Sequence, residues 1–239
     1  MKILVACEES QAVTIEFRKL GHEAYSCDII ECSGGHPEWH IMGDALDIIP
    51  QRDGNAVQLI YFETMDGKAH EIYGTWDMII AFPPCTYLSN AGACRLYPKK
   101  GQLNIERYNK GLAAKAFFMR FLNADCPRIA VENPVSSKVF EMPPHTQEIQ
   151  PYMFGHPYTK KTRLWLRGLP PLMPTDEVEP VSPYCPAGTG RKDRTKYGAA
   201  KRGEDAKNRA KTFPGVARAM AEQWAGKTEE ESQCSENTH

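Results

Sequence analysis

The chain has 239 residues, 41% of them apolar and 25% charged, with a formal net charge of −1. That length supports a large domain with its own core, and the near-neutral balance excludes a molecule that is polycationic over its whole surface. Eight cysteines occur without a Cys-x-x-Cys pair, no apolar run approaches the ~18 residues of a membrane span, and the first apolar stretch is too short for a secretory signal; these features predict a reduced, cytoplasmic protein with no membrane partner.

In chain order, Lys2 to Cys7 is a short apolar run, read as a buried strand. Glu9 to Leu20 has Val13, Phe17 and Leu20 at helical spacing, and Gly21 stops it. Glu23 to Ile29 reads as a second strand that ends at Asp28, and Trp39 to Ile49 as a third strand end or turn around Gly43-Asp44-Ala45. Strand, helix, strand at the start predicts a parallel, Rossmann-like sheet. Val57 to Thr64 and Lys68 to Tyr73 flank Asp66-Gly67, the signature of an inserted β-hairpin. Trp76 to Ala81 resumes the core sheet, and the polar stretch from Thr86 to Asn104 reads as a long loop suited to a lid.

Glu106 to Asn123 is predicted helical, with Leu112, Ala116, Phe117 and Phe121 on its apolar face. Arg128 to Val131 is the next strand, leading into Glu132-Asn133-Pro134; Ile149 to Phe154 and Thr162 to Leu166 are further candidates. Pro170 to Pro186 holds six prolines and is read as irregular. Gly188 to Lys211 carries nine Lys/Arg against three acids, a local +6 that leaves −7 for the rest of the chain. Gly215 to Trp224 is a last helix, and Gly226 to His239 is polar, acidic and expected to be disordered.

Two constellations could carry chemistry. Cys27, Cys32, His36 and His40 match no common zinc finger, and Cys27 falls inside a predicted strand, so they are read as a buried thiol plus loop polar groups, with no metal. The stronger feature is Phe82-Pro83-Pro84-Cys85. Two prolines stiffen a turn just past a strand and present a thiol at the carboxyl edge, where open α/β sheets place their ligands. A thiolate there can act as a nucleophile. Asp28 and Glu132 are expected at the same rim. Taken singly, each has an ordinary reading: packed turn residue, helix cap, surface strand residue.

Together and in this order they resemble the DNA cytosine-5 methyltransferase family, and within it the small phage and prophage members. Phe82-Pro83-Pro84-Cys85 is similar to that family's Gly-Pro-Pro-Cys turn, and Glu132-Asn133-Pro134 to its Glu-Asn-Val. Lys161-Thr162-Arg163 is similar to its Gln-x-Arg-x-Arg strand, and Phe213-Pro214-Gly215-Val216 to its closing motif. The resemblance implies a Rossmann-like, S-adenosylmethionine-dependent methyltransferase fold, a mostly parallel twisted α/β sheet with helices on both faces and a reduced target-recognition region. The core would span 1–168, with the hairpin inserted at about 53–74, a basic recognition segment at 169–212, and a returning helix at 213–225.

The resemblance also implies the roles. Cys85 would be the nucleophile, Glu132 would hold and protonate the cytosine edge, and Arg163 would meet the base carbonyl or a phosphate. S-adenosylmethionine, or a modified analogue, would lie against Cys7, Glu8, Ser10, Asp28, Ile29, Asp44 and Pro83. The first turn reads Ala6-Cys7-Glu8-Glu9-Ser10-Gln11, where the family carries a glycine-rich turn. Double-stranded DNA with a flipped cytosine would be the partner of a monomer or weak dimer, contacted by Arg95, Lys161, Arg191, Lys192 and Arg194; the basic segment would meet the DNA backbone, and Tyr87, Arg95 or Tyr97 of the 86–104 loop would fill the gap left by the base. Transfer of a larger group, action on RNA or a nucleotide, and a catalytically inactive nucleic-acid-binding relative stay open as alternatives.

Overall fold

The computed structural model describes residues 1–50, 59–184 and 210–227. Its centre is a seven-stranded sheet in the order β3-β2-β1-β6-β7-β10-β8, built from β1 (Lys2–Ala6), β2 (Glu23–Asp28), β3 (His40–Met42), β6 (Met78–Ala81), β7 (Ile129–Pro134), β8 (Gln147–Ile149) and β10 (Thr162–Arg167). The first five run parallel, and β10 is antiparallel to both of its neighbours. This is the expected Rossmann-like α/β fold. β6 is apolar along its whole length and β1 from Ile3 onward, because a parallel sheet covered on both faces leaves neither row of side chains in water.

Helix α1 (Ala12–Lys19) and helix α4 (Pro214–Trp224) cover one face, where Ile3, Val5, Met78 and Ile80 meet Phe17, Met220 and Trp224. Helix α3 (Ile105–Leu122) covers the other, with Leu4, Ile79 and Val131 against Phe118 and Phe121. The expected hairpin is present as β4 (Leu59–Glu63) and β5 (Ala69–Tyr73). It buries Ile60, Phe62 and Ile72 beside Tyr25 and Trp76, with Tyr25 and Phe62 rings edge to face at 5.0 Å. Two short strands, β9 (Tyr158–Thr159) and β11 (Ser182–Pro183), form a separate parallel pair. Among the described residues, no helix is long and apolar enough to cross a membrane.

Several elements differ from their sequence reading. α1 starts at Ala12, not Glu9, because Cys7 and Gln11 both adopt left-handed backbone (φ 58° and 57°) and turn the chain before a helix can begin. The 86–104 stretch is not all loop: α2 (Ala93–Leu96) buries Leu96, and the Asn104 amide donates to its carbonyl. On α3 the core face is Gly111, Phe118 and Phe121, while Leu112 and Ala116 are exposed. Gly111 is needed there, since a Cβ would lie 2.1 Å from the Phe140 ring. The 149–154 strand is instead the end of β8 followed by a 3₁₀ turn, Pro151–Met153, as a proline without an N–H cannot continue a ladder. β7 continues through Glu132-Asn133-Pro134 because β10 pairs with it that far. The expected disorder at the chain's end falls largely on 228–239, outside the described residues.

Candidate active site

The carboxyl ends of β1, β2, β3, β6 and β7 share one edge of the sheet, and the motifs gather there. Past β6, the Phe82 amide donates to the Ala6 carbonyl, Pro83 is buried, and Pro84 is exposed. Cys85 opens a tight turn in which its carbonyl accepts from the Leu88 and Ser89 amides. That turn is fastened to the exit of β7: the Asn90 amide donates to Val135, and the Ser137 amide to Leu88. The segments that follow the Pro-Pro-Cys turn and the Glu-Asn-Pro strand end are therefore hydrogen-bonded neighbours. Cys85 is half-buried, and none of the cysteines among the described residues is in a disulfide.

Glu132 faces a cavity that it shares with Phe82, Gln150, Lys160, Thr162 and Phe213. Protein packed around the carboxyl pushes its pKa up, and the Lys160 ammonium pulls it back down. Cys85 itself is not among the residues walling this cavity; Phe82, three residues before it, is. Asn133 points to the other face of the sheet, where its amide donates to Pro134 O and Ser136 Oγ and braces the exit loop.

The expected guanidinium is not at this cavity. In the β7–β10 register Leu164 sits opposite Glu132 and Arg163 opposite Asn133, so alternation sends Arg163 to the face away from Glu132. There Arg163 Nε lies 3.3 Å from Glu148, which also pairs with Lys161 at 2.7 Å. These two cations hold Glu148 below the usual carboxylate range. Lys160 and Thr162 occupy the Glu132 face instead. Sequence reading missed both because nothing short of the register distinguishes the three positions.

At the far end of the same edge, Asp28 ends β2 and its carboxyl accepts from the Ile30 amide at 3.4 Å; burial pushes its pKa up against that bond. The Cys7 thiol is pushed up as well, first by burial and then by Asp28, Cys27 and Asp44, which groups these residues at one corner. Beside Asp28, Ile29 is 76% exposed, Ile30 51% and Met42 57%, an apolar shelf on the rim. Asp44 caps the 3₁₀ turn Ala45–Ile48, accepting from Leu46 N at 2.9 Å. Glu8, expected beside the cofactor, faces the start of α1. It is buried and accepts from Val13 N at 2.7 Å, Thr14 N at 3.2 Å and Thr14 Oγ1 at 2.8 Å, which makes it the cap of α1. Ser10 is half-buried in the turn that receives the 33–36 loop: Ser33 N donates to Glu9 O, and Gln11 exchanges hydrogen bonds with the His36 backbone.

Arg95 is exposed on α2, and Tyr87 is engaged by Arg107, whose guanidinium lies 5.0 Å from the ring centre. Arg191, Lys192 and Arg194 lie outside the described residues. Among the described residues, no group of three or more His, Cys, Asp or Glu could hold a metal ion. His40 binds Ser26 and the Ile30 carbonyl, Cys27 is buried, and His36 stacks on Trp39 at 3.8 Å.

No protein-family model and no curated protein matches the chain. Among solved structures, one similar chain is a provisionally assigned DNA modification methyltransferase encoded within a prophage (E. coli), with 11% identity and a TM-score of 0.38 over 76% of this chain. The match spans 53% of that protein, about half its length.

Proposed function

We propose that the chain is a DNA cytosine-5 methyltransferase acting through Cys85 and Glu132. The observation that carries the reading is the pair of hydrogen bonds, Asn90 to Val135 and Ser137 to Leu88, that ties the segment after the Pro-Pro-Cys turn to the segment after the Glu-Asn-Pro strand end, with the Glu132 carboxyl, its pKa raised, facing a cavity that Phe82 also lines. The Cys85 thiolate adds to C6 of a cytosine turned out of the duplex, as Glu132 delivers its proton to N3. Electron density then concentrates at C5. S-adenosylmethionine supplies the electrophilic methyl group. Methyl transfer leaves S-adenosylhomocysteine; a water then takes the C5 proton as the thiolate is expelled, which releases the methylated base, and N3 returns its proton to Glu132.

The rim suits such a cofactor. Asp28 offers an acceptor for ribose hydroxyls, and the exposed Ile29, Ile30 and Met42 offer a surface that a purine would cover. Cys7 takes the left-handed conformation that a glycine turn would otherwise supply. A modified donor is the second reading, motivated by a first turn, Ala6 to Gln11, that holds no glycine.

Duplex DNA is incubated with labelled S-adenosylmethionine, digested and analysed for 5-methylcytosine. The wild type gives product and Cys85→Ala none, and a 5-fluorocytosine duplex traps an adduct on Cys85. A protein that binds duplex yet yields neither product nor adduct refutes the reading.

A further inference from the structure

The face reversal at β10 leaves the Glu132 cavity with a different cation from the one its sequence motif advertises. Resting on the cytosine-5 reading, we propose that Lys160, not Arg163, is the cation that meets the flipped pyrimidine's carbonyl and works against Glu132. Lys160 lies just before β10, two residues ahead of Thr162, and both line the cavity with Glu132. Its backbone is fixed by donation of the Lys160 amide to Gln150 Oε1 at 2.9 Å, and Gln150 lines the same cavity. Its ammonium lies 5.8 Å from the centre of the Phe213 ring, another wall residue. Arg163 is held on the opposite face by Glu148, which it shares with Lys161.

The chemical consequence differs from that of an arginine. A guanidinium presents a fork, whereas an ammonium is a point charge with rotatable donors, so it binds one carbonyl oxygen without demanding a coplanar partner. The same charge acts on Glu132. Described charged groups facing the carboxyl within the cavity are Lys160 and, from the segment ahead of α4, Lys211; the remaining walls are uncharged. Burial alone favours a protonated Glu132, and the Lys160 charge limits how firmly that proton is held, so that it can pass to N3 and return.

The test compares Lys160→Met, Lys160→Arg and Arg163→Met with the wild type. Methyl transfer is followed from pH 6 to 9, and gel-shift affinity is measured for a duplex with a mismatched cytosine. Lys160→Met is expected to lower kcat/KM at least tenfold, weaken the mismatch complex several-fold, and move the basic limb of the profile upward, since Glu132 then keeps its proton to higher pH. Lys160→Arg restores the limb, and Arg163→Met leaves limb and affinity unchanged. If Lys160→Met keeps the wild-type limb and affinity while Arg163→Met loses them, the assignment is overturned although the cytosine-5 reading stands. If the wild type forms neither 5-methylcytosine nor the Cys85 adduct, the parent reading fails and this assignment with it.

Discussion

Glu8 is the clearest test of whether the β1–α1 turn is built for the helix or for a ligand. Three donors converge on its carboxyl, and each favours the ionised form; burial opposes them and wins, pushing the group from an ordinary 4.5 up to about 7. The folded state therefore binds the proton more tightly than the unfolded chain. That preference stabilises the fold fully below pH 4.5 and is lost as pH rises to about 7, a swing on the order of 3 kcal/mol. Glu8→Gln is neutral, nearly isosteric and still an acceptor, so it removes the swing. Urea unfolding of both proteins from pH 4.5 to 8 should show the wild type losing stability relative to Glu8→Gln up to about pH 7 and holding level above. Glu8→Ala removes the acceptor altogether and strands buried donors, at about 2–3 kcal/mol at pH 5. At this chain length that is about 5–10 °C in Tm. A constant gap between wild type and Glu8→Gln across the range refutes the linkage argument. Wild-type melting in Glu8→Gln with lost S-adenosylmethionine binding would make Glu8 a ligand and not a cap.

Two further outcomes follow from the same packing. Gly215→Ala places a Cβ 1.9 Å from the Phe154 carbonyl oxygen, so the start of α4 must move; we expect a loss of about 2–3 kcal/mol in thermal unfolding, and an unchanged Tm would show that the helix end floats. Asp28→Asn and Ile29→Ala should each weaken S-adenosylmethionine binding about tenfold by calorimetry, equivalent to about 1.4 kcal/mol, with little change in Tm because both side chains sit at the rim. Unchanged affinity in both would move the cofactor away from the end of β2.

Much of the architecture was legible in the chain. Apolar runs at Lys2–Ala6 and Met78–Ala81 marked the central strands, Asp66-Gly67 marked the hairpin, and Pro214 with Val216, Met220 and Trp224 marked the last helix. These signals are local, since strand propensity, turn geometry and helical period act between near neighbours. α3 was legible in extent but not in orientation. Apolar residues lie nearly all round it, and the Phe140 ring, reaching Gly111 from far along the chain, selects the buried face.

The same division governs the site. Residue types and spacing alone determined the Pro-Pro-Cys turn, the Glu-Asn strand end and the acid closing β2, because a stiffened turn or a strand end presents its residue whatever lies beyond it. Tertiary structure alone decided that Glu8 turns inward to cap α1 and that Glu132 shares a cavity with Lys160 instead of Arg163. The physical reason is register. A strand alternates faces with every residue, so the pairing between β7 and β10, set by contacts distant in sequence, turns Arg163 away from the carboxyl, while Lys160, just ahead of β10, lines the cavity with it.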